Sequence, residues 1–136
     1  MVNLVIVTHG EFGAYLVEAA EEIVGAQDSG VRCIGISPRV GVDELRARVS
    51  SAVSELRGEG GLVVVIDIPG GTPCNLAMPL VKDMPDVGVV SGLNLYMLVT
   101  AFNHRKTVGR EELIEKMVSC GRRSVTDLKS VFLTRR

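Results

Sequence analysis

The feature of this sequence that most constrains its fold is an unbroken apolar run, Leu-Val-Val-Val-Ile, at positions 62–66. Four of its five residues are β-branched, and such residues are enriched in β-strands. The run does not alternate between apolar and polar residues, which is typical of a strand buried on both faces of a parallel sheet. Parallel strands need long crossover connections, usually helices. The chain around this run should therefore alternate between strands and helices.

The remaining apolar patterns predict that alternation. Apolar runs at 4–7, 31–36 and 87–90 predict three more strands. Apolar residues spaced by three and four predict helices over 12–24, 42–56 and 95–102, and another from after 109 to about 128. We predict one α/β domain over residues 1–136, a doubly wound and mostly parallel open sheet with helices on both faces. Its strand order is 2-1-3-4, and residues 130–134 are the candidate for a last, C-terminal strand.

Helix signals mark the crossover after the third strand. Thr72 followed by Pro73 predicts a helix N-cap and a proline at the first helical position, where no N–H is needed. The helix should cover 75 to about 82. Pro79 should kink it or end it early, because proline lacks the N–H that its turn requires.

Length and composition narrow the class of protein. A chain of 136 residues suits one domain, and 46% apolar with only 4% aromatic residues implies an aliphatic core. The net charge of −1 argues against a general nucleic-acid binder. The three cysteines show no zinc-ligand spacing, which indicates a reducing compartment. With no secretory leader and no apolar run of the ~20 residues that span a bilayer, we expect a cytoplasmic protein without metal or cofactor.

Two polar residues stand where buried strands end. His9 closes the first strand, and Asp67 directly follows the third. These strands are neighbours in the order 2-1-3-4, and ligands bind beyond the carboxyl ends at the point where that order reverses. We therefore expect His9 and Asp67 to meet there. A carboxylate that accepts the Nδ1 proton of an imidazole leaves Nε2 with the exposed lone pair, which a nucleophilic histidine requires.

The segment after Asp67 is typical of an anion site. It places Gly70, Gly71 and Thr72 at a predicted helix start, where backbone N–H groups favour phosphate and the threonine adds a hydroxyl. No lysine follows the glycines, so this is not a nucleotide P-loop, and no acidic cluster is placed to hold magnesium. The combination predicts phosphoryl transfer onto His9 from a group already activated on another protein.

Three segments in register resemble the IIA domain of the mannose class of the bacterial sugar phosphotransferase system. They are VIVTHG at 5–10, the Ile-Asp pair at 66–67 with GGTP at 70–73 and the asparagine at 75, and SGLNLYML at 91–98. The resemblance covers almost the whole chain. It implies a doubly wound α/β fold, a phosphohistidine at His9, Asp67 as the partner of its imidazole, and a phosphate site at Thr72.

The same resemblance implies partners. The donor would be the phosphorylated carrier protein HPr, and the acceptor a IIB component on a separate polypeptide, which phosphorylates sugar during uptake. Family members are typically homodimers that exchange a C-terminal strand, for which residues 130–134 are the candidate here. Contact with a membrane would come only through the IIC and IID permease.

Several positions depart from the family pattern. Pro69 stands where a large, often aromatic, residue is common, and proline removes one backbone donor near the phosphate. Cys74 replaces what is often phenylalanine, and Pro79 inside a helix is unusual. We interpret Cys74 as structural and His104 as an exposed residue at a helix end.

Three other functions fit part of the pattern. A regulatory module would also be phosphorylated on His9 but would act by binding a regulator or transporter. The phosphoryl-donor subunit of dihydroxyacetone kinase opens in a similar way, although the loop at 70–73 fits the sugar-transport branch better. A flavodoxin-like binding module is the weakest alternative, because no hydroxyl-rich phosphate loop follows the first strand and aromatic residues are few.

Overall fold

Strands and helices alternate along the chain in the computed structural model, which describes residues 1–134. Four strands and six helices are formed in that range. They are β1 (Asn3–His9), α1 (Phe12–Val24), β2 (Val31–Ile36), α2 (Val42–Leu56), β3 (Leu62–Ile66), α3 (Thr72–Val81), β4 (Val87–Val90), α4 (Leu95–His104), α5 (Arg110–Arg123) and α6 (Leu128–Thr134).

The four strands form one open, wholly parallel sheet in the order β2-β1-β3-β4. This confirms the predicted fold class and strand order. In the register of the sheet, Val7 lies opposite Ile66 and His9 lies opposite Ile36. The carboxyl ends of β1 and β3 therefore lie side by side, and the strand order reverses between them.

Each face of the sheet is covered by its own helices, and β1 shows how. Leu4 and Ile6 belong to an apolar cluster with residues of α1, α4 and α5, whereas Val5 and Val7 belong to a second cluster with residues of α2 and α3. This is the alternation of a strand buried on both sides. All five residues of β3 are at most 1% exposed, as the non-alternating run predicted.

Two details of α3 differ from expectation. The residue with extended backbone before the first turn is Gly71, so Gly71 is the N-cap and Thr72 is the first helical residue. Pro79 does not end the helix, which continues to Val81. A single proline removes one backbone hydrogen bond of the helix, and the buried residues Leu76, Ala77 and Val81 hold α3 against the sheet on either side of it.

The predicted C-terminal strand is wrong, because residues 128–134 form α6 instead. The turn before α6 makes local bonds: the Asp127 carboxylate accepts from the Ser130 N–H, and the Asp127 carbonyl accepts from the Val131 N–H. The preceding helix, expected to reach about 128, ends at Arg123. Every residue of α6 is exposed. No helix within residues 1–134 is both long enough and apolar enough to cross a membrane.

The three cysteines are free thiols at separate places in the fold. Cys33 lies in the middle of β2 and packs against the cluster on the α1 side. Burial, with smaller contributions from the carboxylates of Glu11 and Glu21, raises the pKa of Cys33 to about 11. It therefore remains protonated near neutral pH.

Candidate functional site

His9 and Asp67 meet at the carboxyl edge of the sheet, as the topology predicted. His9 is the last residue of β1, and Asp67 directly follows β3. The Nδ1 atom of His9 lies 2.7 Å from Oδ2 of Asp67, and the His9 backbone N–H donates to the same oxygen at 2.8 Å. The other carboxylate oxygen accepts from the Ile68 N–H at 2.8 Å. Asp67 is 9% exposed, whereas the His9 side chain is 50% exposed.

These contacts fix the charge of Asp67 and the tautomer of His9. Burial alone raises the pKa of Asp67, but the hydrogen bonds from the backbone and ring of His9 and from the Ile68 N–H outweigh it and hold that pKa below its usual value of 3.8. An ionised carboxylate only accepts hydrogen bonds. The ring proton therefore lies on Nδ1, and in the neutral ring Nε2 carries the lone pair.

Gly71 lies against the edge of the imidazole. A Cβ atom on Gly71 would be 3.0 Å from Cε1 and 3.5 Å from Nε2 of His9. Gly70, one residue earlier, has a φ of +80°, a backbone conformation that favours glycine. The loop thus brings main chain, without a side chain in between, to the ring nitrogen that Asp67 leaves free.

The start of α3 supplies hydrogen-bond donors beside this nitrogen. The first amides of a helix have no carbonyl partner in a preceding turn, and the helix dipole favours an anion there. Pro73 lacks an N–H, so the first-turn amides are those of Thr72 and Cys74. The Thr72 side chain is exposed, and Pro69 is exposed in the loop before it.

The segment after β4 holds the backbone of Asp67 in place. The Gly92 N–H donates to the Asp67 carbonyl at 3.0 Å, and the Leu93 N–H donates to the Ile66 carbonyl at 3.2 Å. Asn94 then caps α4 by accepting from the Met97 N–H. The sequence did not predict the role of these backbone groups. The asparagine immediately before an apolar helix was a signal for the helix N-cap that ends this segment.

Thr8 is a further residue that the sequence reasoning did not single out. It is 1% exposed and lies directly before His9 in β1. Its hydroxyl donates to the Gly10 carbonyl at 3.1 Å and accepts from the Gly13 N–H at 3.2 Å. The signal in the sequence was a polar residue between the apolar run 4–7 and His9, at a position still inside the buried part of the strand.

The other sequence candidates lie away from this pair or beside it. His104 is the last residue of α4 and is half-buried rather than exposed as expected. Cys74 lies in the first turn of α3 and is half-buried. Among residues 1–134, no group of three or more His, Cys, Asp or Glu side chains is arranged to hold a metal ion.

Comparison of the sequence with known families identifies one family over most of the chain. The family model described as "PTS system fructose IIA component" matches residues 3–118. The chain is 30% identical over 130 residues to the "PTS system mannose-specific EIIAB component" of Escherichia coli (strain K12), a match that covers 95% of this chain and 40% of the relative. The chain thus spans well under half the length of that relative.

A second curated relative is similar in length to this chain. The "PTS system fructose-specific EIIA component" of Bacillus subtilis (strain 168) is 23% identical over 124 residues, which cover 91% of this chain and 84% of the relative.

Solved structures of the same type share the whole fold. The phosphotransferase system component EIIA from Streptococcus agalactiae is 27% identical, with a TM-score of 0.84, over 96% of this chain and 99% of that one. The mannose/sorbose specific IIA subunit from Enterococcus faecalis is 28% identical, with a TM-score of 0.82, over 92% of each chain.

Fold and site together define an α/β protein that presents a carboxylate-bound imidazole at the point where its parallel sheet reverses strand order. With the family match over residues 3–118, this chain belongs to the IIA components of the phosphotransferase system, in the family that includes mannose and fructose IIA proteins. The names of these relatives describe components of a phosphotransferase system.

Proposed function

We propose that this protein is a phosphocarrier that accepts a phosphoryl group from phosphorylated HPr on Nε2 of His9 and passes it to a IIB component. The observation that carries the proposal is the 2.7 Å contact between Nδ1 of His9 and Oδ2 of Asp67. It leaves Nε2 as the free nucleophilic atom, on a side chain that is half exposed to an incoming protein. Family membership supports the same role.

Phosphoryl transfer requires a nucleophile in the correct position and a charge that stabilises the product. The Nε2 lone pair forms a bond to phosphorus as the bond from phosphorus to the donor atom of HPr breaks, and the donor atom keeps the electron pair. The imidazole becomes positively charged in this step, and the ionised Asp67 beside Nδ1 stabilises that charge. Transfer to IIB is the reverse reaction with a different acceptor.

The phosphoryl oxygens would be received by the loop of Gly70, Gly71 and Thr72. Gly71 leaves room beside Nε2, since a Cβ there would be 3.5 Å from that atom. The free amides at the start of α3 and the Thr72 hydroxyl are donors for an anion at this place. Pro69 contributes no N–H, so the donors come from the residues after it.

A labelling experiment tests the proposal. The protein, incubated with phosphoenolpyruvate, enzyme I and HPr, should form an acid-labile phosphoryl adduct. His9→Ala should abolish it, and His104→Ala, which removes the other histidine of the chain, should not. Equal labelling of wild type and His9→Ala, or no labelling of either, would refute the assignment. Transfer from the labelled protein to a IIB component separates a phosphocarrier from a regulatory module.

We also propose that the protein is a homodimer that pairs through its C-terminal segment, as the family resemblance implies. The segment is helical rather than extended, and it exposes Leu128, Phe132 and Leu133 by 57–69%. A groove of about 470 Å³ lies beside β4, one of the two edge strands, and Val118 and Val125 are among its lining residues. A second copy would cover both the apolar helix and the open edge.

Analytical ultracentrifugation of wild type and of the double variant Leu128→Asp, Phe132→Asp tests the dimer. Wild type should sediment as a dimer and the variant as a folded monomer, because the charges would have to be buried at the interface. Tyr15→Asp, at an exposed position on α1, is the matched control and should remain dimeric. A monomeric wild type would rule out the dimer.

A further inference from the structure

We propose that the buried hydroxyl of Thr8 is a positioning group for His9, holding the backbone that aims Nε2 at the incoming phosphorus. The inference rests on the proposed function, which it extends to a residue beyond the site. Thr8 is 1% exposed. Its hydroxyl therefore cannot touch a partner protein, and any effect on transfer must pass through His9.

The need for such a group follows from how little holds the imidazole itself. The side chain of His9 is 50% exposed, and its ring is fixed by one hydrogen bond to Asp67 and by contact with Gly71. The direction in which the ring leaves the sheet is therefore set by the His9 backbone, and small backbone movements change the position of Nε2.

That backbone is held on both sides of the residue. On the N-terminal side, the His9 backbone N–H donates to Oδ2 of Asp67. On the C-terminal side, the chain turns sharply at Gly10, which has a φ of +60°. The Gly10 N–H donates to the Ile36 carbonyl at 2.8 Å, and the Gly10 carbonyl accepts from the Thr8 hydroxyl at 3.1 Å. Thr8 thus holds the turn that follows His9.

The same hydroxyl joins this turn to α1. It accepts from the Gly13 N–H at 3.2 Å, in the first turn of the helix. The approach is close, because a Cβ on Gly13 would lie 2.9 Å from both Oγ1 and Cγ2 of Thr8. One buried hydroxyl therefore connects the end of β1, which carries His9, with the turn and the start of α1 that follow it.

The experiment removes the hydroxyl and keeps the side-chain shape. Thr8→Val is compared with Thr8→Ser, which keeps the hydroxyl. Thr100→Val is the matched control: Thr100 is 5% exposed, donates to the Tyr96 carbonyl within α4, and lies outside the site. Two properties are measured: the steady-state rate of phosphoryl transfer from phosphorylated HPr, and the ¹⁵N chemical shifts of the His9 ring in the unphosphorylated protein.

We expect Thr8→Val to lower kcat at least about tenfold with KM for phosphorylated HPr unchanged, since a 1 Å misplacement of a reacting group costs up to about 10²-fold. The KM is unchanged because the docking surface is untouched. The ring shifts should move from the Nδ1–H pattern toward those of mixed tautomers. Thr8→Ser and Thr100→Val should keep both properties.

The possible outcomes of this experiment test the positioning role of Thr8. If Thr8→Val keeps the wild-type kcat and ring shifts, the positioning role is refuted. If it does not fold, Thr8→Ala and Thr8→Ser form the second pair, which differ only in the hydroxyl, and equal rates and shifts in that pair refute it too. If the wild type is never phosphorylated, the proposed function fails, while the ring shifts of the variants still test whether Thr8 orients the imidazole.

Discussion

The sheet carries a polar cluster at each of its two ends, and the clusters are built differently. At the amino ends of the strands, Arg105 is 1% exposed and its guanidinium donates to Val2, Gln27 and Ser29, each at 2.9 Å. At the carboxyl ends, His9 bonds through one ring nitrogen and exposes half of its side chain.

The difference separates a group that serves the fold from one available for chemistry. Burial lowers the pKa of Arg105, and its guanidinium donates to neutral acceptors: two backbone carbonyls and the side-chain oxygen of Gln27. Within residues 1–134, no buried side-chain nitrogen or oxygen lacks a hydrogen-bond partner. At the carboxyl end, Nε2 of His9 is a basic atom on a half-exposed side chain, beside the backbone of Gly71.

The largest effect is expected at the carboxyl end, from Asp67→Asn. An amide in place of the carboxylate can donate to Nδ1 and so move the ring proton to Nε2, the atom that must attack. We expect phosphoryl transfer to fall by up to about 10⁴-fold, by analogy with a catalytic histidine whose carboxylate partner is changed to an amide. The rate is measured with phosphorylated HPr in excess, and circular dichroism confirms that the variant is folded.

A control variant tests whether the effect is specific to the carboxylate beside His9. Asp127→Asn makes the same chemical change at the start of α6, and it should leave the transfer rate within about twofold of wild type. If Asp67→Asn also transferred at a wild-type rate, Asp67 would be a structural group like Arg105, and the two ends of the sheet would not differ in kind.

The next largest effect is expected at the amino end, and on stability alone. Arg105→Met fills the space of the side-chain stem but leaves buried acceptors without donors. At about 1–3 kcal/mol for each unsatisfied group, we expect the free energy of unfolding to fall by about 3 kcal/mol in urea. The transfer rate per folded molecule should not change.

The exposed Arg39 provides the control for that measurement. Arg39→Met should change the free energy of unfolding by no more than about 0.5 kcal/mol, as is usual for surface sites. A stable Arg105→Met variant with slowed transfer would contradict the assignment of Arg105 to the stability of the fold alone.

A smaller effect is expected from Gly71→Ala, which tests the space beside His9. The new Cβ would lie 3.0 Å from Cε1 of the ring, so the ring must shift by a few tenths of an ångström. We expect transfer to slow about tenfold. Gly109→Ala is a closely matched control, because Gly109 is also a helix N-cap with extended backbone and open space around it. It should transfer at the wild-type rate, and an equally fast Gly71→Ala would show that the loop does not confine the ring.

The long-range features of this molecule were predictable because they depend on patterns that few folds satisfy. The non-alternating run at 62–66 fixed a parallel sheet, and the crossover rule then placed β1 beside β3. From that order alone His9 and Asp67 had to meet, although 58 positions separate them.

The details that escaped prediction depend on single local bonds. Which residue caps α3 was decided by the backbone of Gly71, not by the preference of Thr72 for that position. Residues 130–134 contain β-branched residues, but the bonds to Asp127 favour a helix, and short apolar runs do not distinguish the two structures. The hydroxyl of Thr8 acts through hydrogen bonds to Gly10 and Gly13, which a pattern of apolar and polar residues does not reveal.

The smallest effect is expected from pH, through Asp67. Its folded-state pKa lies below the usual 3.8, so its ionised form stabilises the fold. That contribution is fully present above the unfolded pKa and is lost as the pH falls through the folded one. The difference in unfolding free energy between wild type and Asp67→Asn should thus hold at neutral pH and shrink from about pH 5 to about pH 3. Urea unfolding at several pH values measures it. A difference that stayed constant over that range would mean that the carboxylate gains nothing from the three N–H groups around it, and that the carboxyl end does not hold the charge its chemistry requires.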